Sequence, residues 1–136
     1  ARKDGMDMAL CYLNTKTGEL QFAGANNPLY YVKNGEMIEI KGDKQPVGFY
    51  LEKKPYTVHN VSLQEGDTLY LFSDGYADQF GGDKLRKYKS VNLKKFIAEI
   101  ANRKLSEQHN LLAVEFENWK GSNEQIDDVC FVGIRL

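Results

Sequence analysis

The order of apolar and polar residues divides the chain into two stretches of different period. Up to residue 73 the repeat is two. Residues 6–13 (MDMALCYL), 20–25 (LQFAGA), 29–32 (LYYV) and 37–40 (MIEI) read as strands. NTKTGE, between the first two, is a cluster of turn formers, so those strands make a hairpin. Asn34-Gly35 joins the next two; both positions accept positive φ, which a two-residue hairpin turn demands. KGDKQPVGFYLEKKP reads as a loop, residues 56–63 alternate again, and QEGD turns the chain into 68–73. There the alternation stops. LYLF, 69–72, is apolar throughout, as in a strand buried on both faces.

After residue 73 the period lengthens. Leu93, Phe96, Ile97 and Ile100 fall at i, i+3, i+4 and i+7 on one helix face, with Asn92 as a fair N-cap. Ser106 is placed to cap a second helix carrying Leu112, Phe116 and Trp119 on one side, with Gly121 just past its end. A nearly continuous apolar strand runs from Val129. The pattern predicts an α+β fold, mainly antiparallel sheet with two helices packed on one face before the last strand. Residues 69–72 and 129–132 are expected to be central strands with little exposure.

Composition narrows the class without naming it. The chain has 136 residues, 42% hydrophobic and 27% charged, which suits one soluble globular domain over 1–136. A net charge of −1 gives no field to attract nucleic acid or an anionic membrane. No apolar run is long enough to span a bilayer, so no membrane segment is expected in the chain. Cys11 and Cys130 both fall in strand-like stretches and read as free core thiols, consistent with a cytoplasmic location. The sequence enters a strand within a few residues of Ala1 and reads as cut from something longer.

Two places break the rule that carboxylates avoid the ends of core strands. Asp74 closes one such strand, and Asp127 and Asp128 open another. If those strands are antiparallel neighbours, the carboxylates share one sheet edge. Clustered carboxylates repel and favour a divalent cation, and oxygen-only ligands favour Mg²⁺ or Mn²⁺ over zinc. Each motif taken alone also reads as a plain turn.

GDTLYLFSDGYAD, two helices and a terminal DDVCFVGI together resemble the metal-dependent type 2C protein phosphatases (PPM), and more narrowly their bacterial SpoIIE/RsbU-like branch. LQFAGANNPLYYV is similar to that branch's hairpin and KQPVG to its Pro-Leu-Gly loop. The resemblance implies a β-sandwich flanked by helices. It implies hydrolysis of phosphoserine or phosphothreonine by water activated between two Mn²⁺ or Mg²⁺ ions in the complete domain. Carried over residue by residue, Asp74 and Asp127 are the implied catalytic metal ligands, Asp128 is the second choice, and Gly75 lets the backbone turn beside the metals. Asp78 is expected to support the loop.

Three departures accompany the likeness. The family's Gly-Asp…Asp strand has no counterpart in 1–136 and is expected upstream of Ala1, so the chain alone is expected to be inactive. The usual His of the hairpin is replaced in GANNP, and Cys130 stands where Thr is usual. The implied partners are a phosphorylated regulator of the anti-anti-sigma type and an upstream sensor or regulatory domain. The alternative is a catalytically incomplete module of the same fold that binds partner proteins. KLRKYK, 84–89, could attract a phosphoprotein; it reads equally as a solvated loop.

Overall fold

The stretch read as one strand over 6–13 is two in the computed structural model, which describes residues 4–136: β1 (Gly5–Met6) and β2 (Met8–Leu13), with Asp7 at the break. β3 (Glu19–Ala25) pairs with β2 as the expected hairpin, and β4 (Leu29–Lys33) with β5 (Glu36–Ile40). The Asn34-Gly35 turn between the latter pair has φ of 51° and 78°, the left-handed values its sequence demands. β6 (Val47–Gly48) pairs with β1; β7 (His59–Ser62) and β8 (Thr68–Phe72) follow. A single-turn helix α1 (Gly75–Asp78) comes next, then a small ladder of β9 (Phe80–Gly81) and β10 (Arg86–Lys87). α2 (Ser90–Ile100), α3 (Leu105–Lys120) and β11 (Phe131–Arg135) complete the chain.

Two sheets face one another, β11-β8-β4-β5 and β2-β3-β7, every strand pair within them antiparallel. The period of two sends alternate side chains of β4 and β8 to different cores. Tyr31 and Leu69 join Leu20 and Phe22 of β3 in the layer between the sheets. Tyr30 and Tyr70 join Leu93, Ile97, Leu112 and Phe116 of α2 and α3 on the other side. This is why LYLF carries no polar position: β8 has sheet on one face and helices on the other. Arg135 fixes the helical layer to the sheet, donating to Thr68 Oγ1 and to the carbonyls of Arg103 and Ala101 at the end of α2.

Several expectations are corrected. β11 is an edge strand of the described sheet rather than a central one, with Val132 and Ile134 42% and 40% exposed. Within it only Phe131 and Arg135 are partly buried, and nothing in an apolar run reveals whether a second neighbour is present. Phe72 is half-buried, stacked 5.3 Å from Phe131. Cys130 is exposed and Cys11 half-buried, so both thiols are free but only Cys11 touches a core. Burial pushes the Cys11 thiol up to about 11. α2 begins at Ser90, one turn earlier than a cap at Asn92 would allow; the Asn92 amide donates instead to the Tyr88 carbonyl. α3 begins at Leu105, so Ser106 is already inside it, while Gly121 closes it as expected, its N–H on the Glu117 carbonyl.

These differences carry a stability test. Leu69→Ala, at a fully buried position, should cost about 2–5 kcal/mol, whereas Val132→Ala on the open edge should cost less than about 1 kcal/mol. Denaturant unfolding of the two variants checks it; equal losses would mean that the β11 edge is covered in solution.

Candidate metal centre

β8 and β11 are antiparallel with Phe72 opposite Phe131, so the residues leaving β8 run beside those entering β11. Ser73 ties the two together. Its N–H donates to the Cys130 carbonyl at 3.0 Å, its hydroxyl to the Asp128 carbonyl at 3.0 Å, and it accepts the Cys130 N–H at 3.0 Å. Gly75, the first residue of α1, is buried against the same segment. A Cβ there would lie 2.2 Å from the Asp128 carbonyl oxygen, a separation no side chain tolerates. The glycine is therefore a clearance, and it sets how near α1 comes to β11.

Asp74 sits between these two fixed points. It occupies the N-cap position of α1, yet its side chain caps no helix N–H, so the carboxylate is left for other use. Partial burial raises its pKa above the ordinary carboxylate value, and the charges of Asp78, Asp127 and Asp7 raise it further. Four carboxylates thus act on one region of the surface. Asp127 accepts the N–H of Asp128, and Asp128 meets Ser73 through its backbone carbonyl; of the pair, Asp127 is the one whose charge bears on Asp74. Asp78 is paired with Lys87 at 3.1 Å, which also accounts for one cation of the 84–89 run.

Asp7 joins these carboxylates from the break between β1 and β2, and its one signal in the sequence is a carboxylate interrupting an otherwise apolar strand pattern. The Asn26 amide, in the GANNP hairpin, donates to Asp7 Oδ1 at 2.7 Å, with Asn26 itself held at φ 61°. The hairpin tip is braced in turn by the loop after β5. The Asn26 N–H donates to the Asp43 carbonyl and the Asp43 N–H to that of Gly24, both at 2.8 Å. Asp7 and Asp74 line one groove of about 370 Å³, which Lys41, Lys44, Tyr30 and Phe72 line as well. A larger cavity, about 550 Å³ between α3 and the four-stranded sheet, contains none of these carboxylates.

The donor set fits a hard divalent cation in kind. The donors are oxygens, neighbouring carboxylates raise the Asp74 pKa, and Mg²⁺-like ions are commonly held by one or two carboxylates with water and substrate oxygens completing the shell. It does not make a closed cage. Among the described residues no three His, Cys, Asp or Glu side chains converge on a common point. Among those residues, too, no helix is long and apolar enough to cross a membrane.

Comparison with known proteins places these features in a family. The family model described as Stage II sporulation protein E (SpoIIE) matches residues 2–136. Among solved structures, the SiaA-PP2C domain of Pseudomonas aeruginosa is 28% identical at a TM-score of 0.88, over 96% of this chain and 51% of that one. The manganese-presoaked phosphatase domain of SpoIIE from Bacillus subtilis is 17% identical at 0.69, over 96% and 56%. The RsbU and RsbW domains of Rv1364c from Mycobacterium tuberculosis are 20% identical at 0.69, over 95% and 35%. The chain spans about half the length of the first two and about a third of the last. No curated protein matches it.

Proposed function

The chain belongs to the SpoIIE family of PP2C-type phosphatase domains, and from that premise we propose that it serves metal-dependent hydrolysis of phosphoserine or phosphothreonine on a regulatory protein in cytoplasmic signalling. The observation that carries the reading is the junction of β8 and β11, where the Ser73 hydrogen bonds and the Gly75 clearance bring Asp74 and Asp127 to one sheet edge.

Asp74 and Asp127 would hold the ion, and Asp7, oriented by Asn26, faces the same groove. When bound, Mn²⁺ or Mg²⁺ supplies a water ionised near neutral pH and neutralises charge on the phosphoryl oxygens. The work of the chain is positional. Ser73 holds the spacing of the two motifs, Gly75 admits α1 to the Asp128 carbonyl, and the brace from Asn26 to the 41–45 loop stiffens the lining of the groove. Under this proposal the substrate is a phosphorylated regulator of the anti-anti-sigma type, and a sensor domain elsewhere in the whole protein controls access to the groove.

A second reading, a module of this fold that binds partners without turnover, is favoured by one fact: the described carboxylates do not converge in threes. One experiment separates the two. Phosphate release from a phosphoserine peptide is measured with and without Mn²⁺, for the whole protein and for this chain. The expected result is Mn²⁺-dependent release by the whole protein and little by this chain alone, whose donors fill only part of a two-ion site. A whole protein inert toward every phosphopeptide offered would favour the binding module.

A further inference from the structure

The groove beside the carboxylates is two-signed. We propose that Lys41 and Lys44, which line the same groove as Asp7 and Asp74, bind the phosphoryl group of the substrate; this rests on the phosphatase reading above for its substrate class. A phosphate monoester is close to a dianion at neutral pH, and a wall of carboxylates alone repels it. A groove that handles both a cation and a phosphoryl group needs positive charge opposite the acids, and two ammonium groups supply it as mobile point charges with three donors each.

Placement of the two lysines supports this. Both project from the loop after β5, which is not free to swing. The Asp43 backbone is bonded to the hairpin tip on either side of Ala25. The Asp43 carboxylate accepts the N–H of Thr57 at 2.6 Å and its hydroxyl at 2.9 Å. The Gln45 side chain is bonded to the Lys54 backbone. Gly42, between the lysines, packs so close to the Asn27 carbonyl oxygen that a Cβ would lie 2.6 Å from it. The loop backbone is thus a fixed mount for two exposed side chains.

Availability is the second argument. Lys87 is paired with Asp78, and Lys94 with Glu39, the acid that lines the groove beside Lys41. Among the described residues neither Lys41 nor Lys44 has an ion pair or a side-chain hydrogen bond. Glu39 is already answered by Lys94 at 3.3 Å, so the acid nearest the lysines on β5 does not consume their charge. The basic side of the groove is therefore uncommitted, as an anion site must be before its ligand arrives.

The test has two arms. In the first, inorganic phosphate is titrated into this chain in the presence of a chelator, followed by backbone amide NMR. The amides of Gly42 and Lys44 should shift on binding, and Lys41→Gln with Lys44→Gln should weaken the affinity about ten-fold, the scale of one lost charge-assisted hydrogen bond. Both side chains are exposed, so the double variant should keep the wild-type spectrum elsewhere. In the second arm the whole protein is assayed with Mn²⁺ on a phosphoserine peptide and on p-nitrophenyl phosphate. KM should rise about ten-fold for both substrates, with kcat moving less. A rise confined to the peptide would overturn the assignment, since the lysines would then be reading acidic neighbours rather than the phosphoryl group. Unchanged phosphate affinity would overturn it as well. A wild-type protein with no Mn²⁺-dependent turnover would count against the phosphatase reading, while the phosphate titration would still decide for or against the lysines.

Discussion

Gly75→Ala should lower stability by about 1–3 kcal/mol and cut Mn²⁺-dependent turnover of the whole protein by about 100-fold. The added methyl group would sit 2.2 Å from the Asp128 carbonyl oxygen and 3.0 Å from its carbonyl carbon. Both are backbone atoms, so no rotamer change relieves the overlap; α1 or the strand entry must move. Either movement strains the three hydrogen bonds of Ser73, because the same Asp128 carbonyl accepts the Ser73 hydroxyl. Asp74 is the residue just before the glycine and Asp127 the residue just before Asp128. The two carboxylates therefore separate when this contact is forced apart. Gly35→Ala is the control. Its φ of 78° makes alanine unfavourable, but the new Cβ meets nothing within 4 Å, so a loss of about 1–2 kcal/mol should come with unchanged turnover. Thermal unfolding and phosphate release, measured on both variants, decide the matter. If Gly75→Ala behaves like Gly35→Ala, the close approach does not set the geometry of the site.

Much of this junction was legible in the sequence, for a physical reason. A strand with cores on both faces admits a polar residue only where a partner satisfies it, as Arg135 does Thr68, so β8 announced itself as LYLF, and the carboxylate at its end stood out against that background. Asn34-Gly35 was legible because few residue pairs accept two positive φ values. What the sequence did not disclose depends on neighbours rather than on local pattern. A four-residue helix such as α1 is too short to show a period. The apolar residues of β11 are the same whether one strand or two flank it. Asp7 stayed hidden because the strand pattern resumes at once on its far side; a break of one residue between β1 and β2 looks like continuity in a sequence. Lys41 and Lys44 sat in an ordinary charged loop. Only the fold, by pinning that loop to the GANNP hairpin, brings them to the groove of Asp74.

Asp74→Asn should change stability and activity in opposite directions. Burial and the charges of Asp78, Asp127 and Asp7 raise the Asp74 pKa above its ordinary value, so the folded chain binds this proton more tightly than the unfolded chain does. The associated stability is present at low pH and is lost as pH rises through the folded pKa. At neutral pH without metal the ionised carboxylate is therefore a burden on the fold, and removing its charge at nearly constant shape relieves it. In chelator at pH 7 the variant should melt above the wild type, and the difference should shrink as pH falls through the raised folded pKa and be gone below the ordinary carboxylate range. Added Mn²⁺ should raise the wild-type melting temperature by mass action on the folded state, while the variant, missing a ligand charge, should respond weakly. In the whole protein the same substitution should lower turnover about 100-fold or more, the scale of losing one preorganised electrostatic contact in a transition state. Thermal melts of this chain across pH, with chelator or Mn²⁺, and phosphate release by the whole protein test each part separately. A variant less stable than wild type in chelator would mean that the carboxylate is held by a partner rather than crowded by its own kind. Turnover that survives the substitution would move the catalytic ion away from the β8–β11 edge.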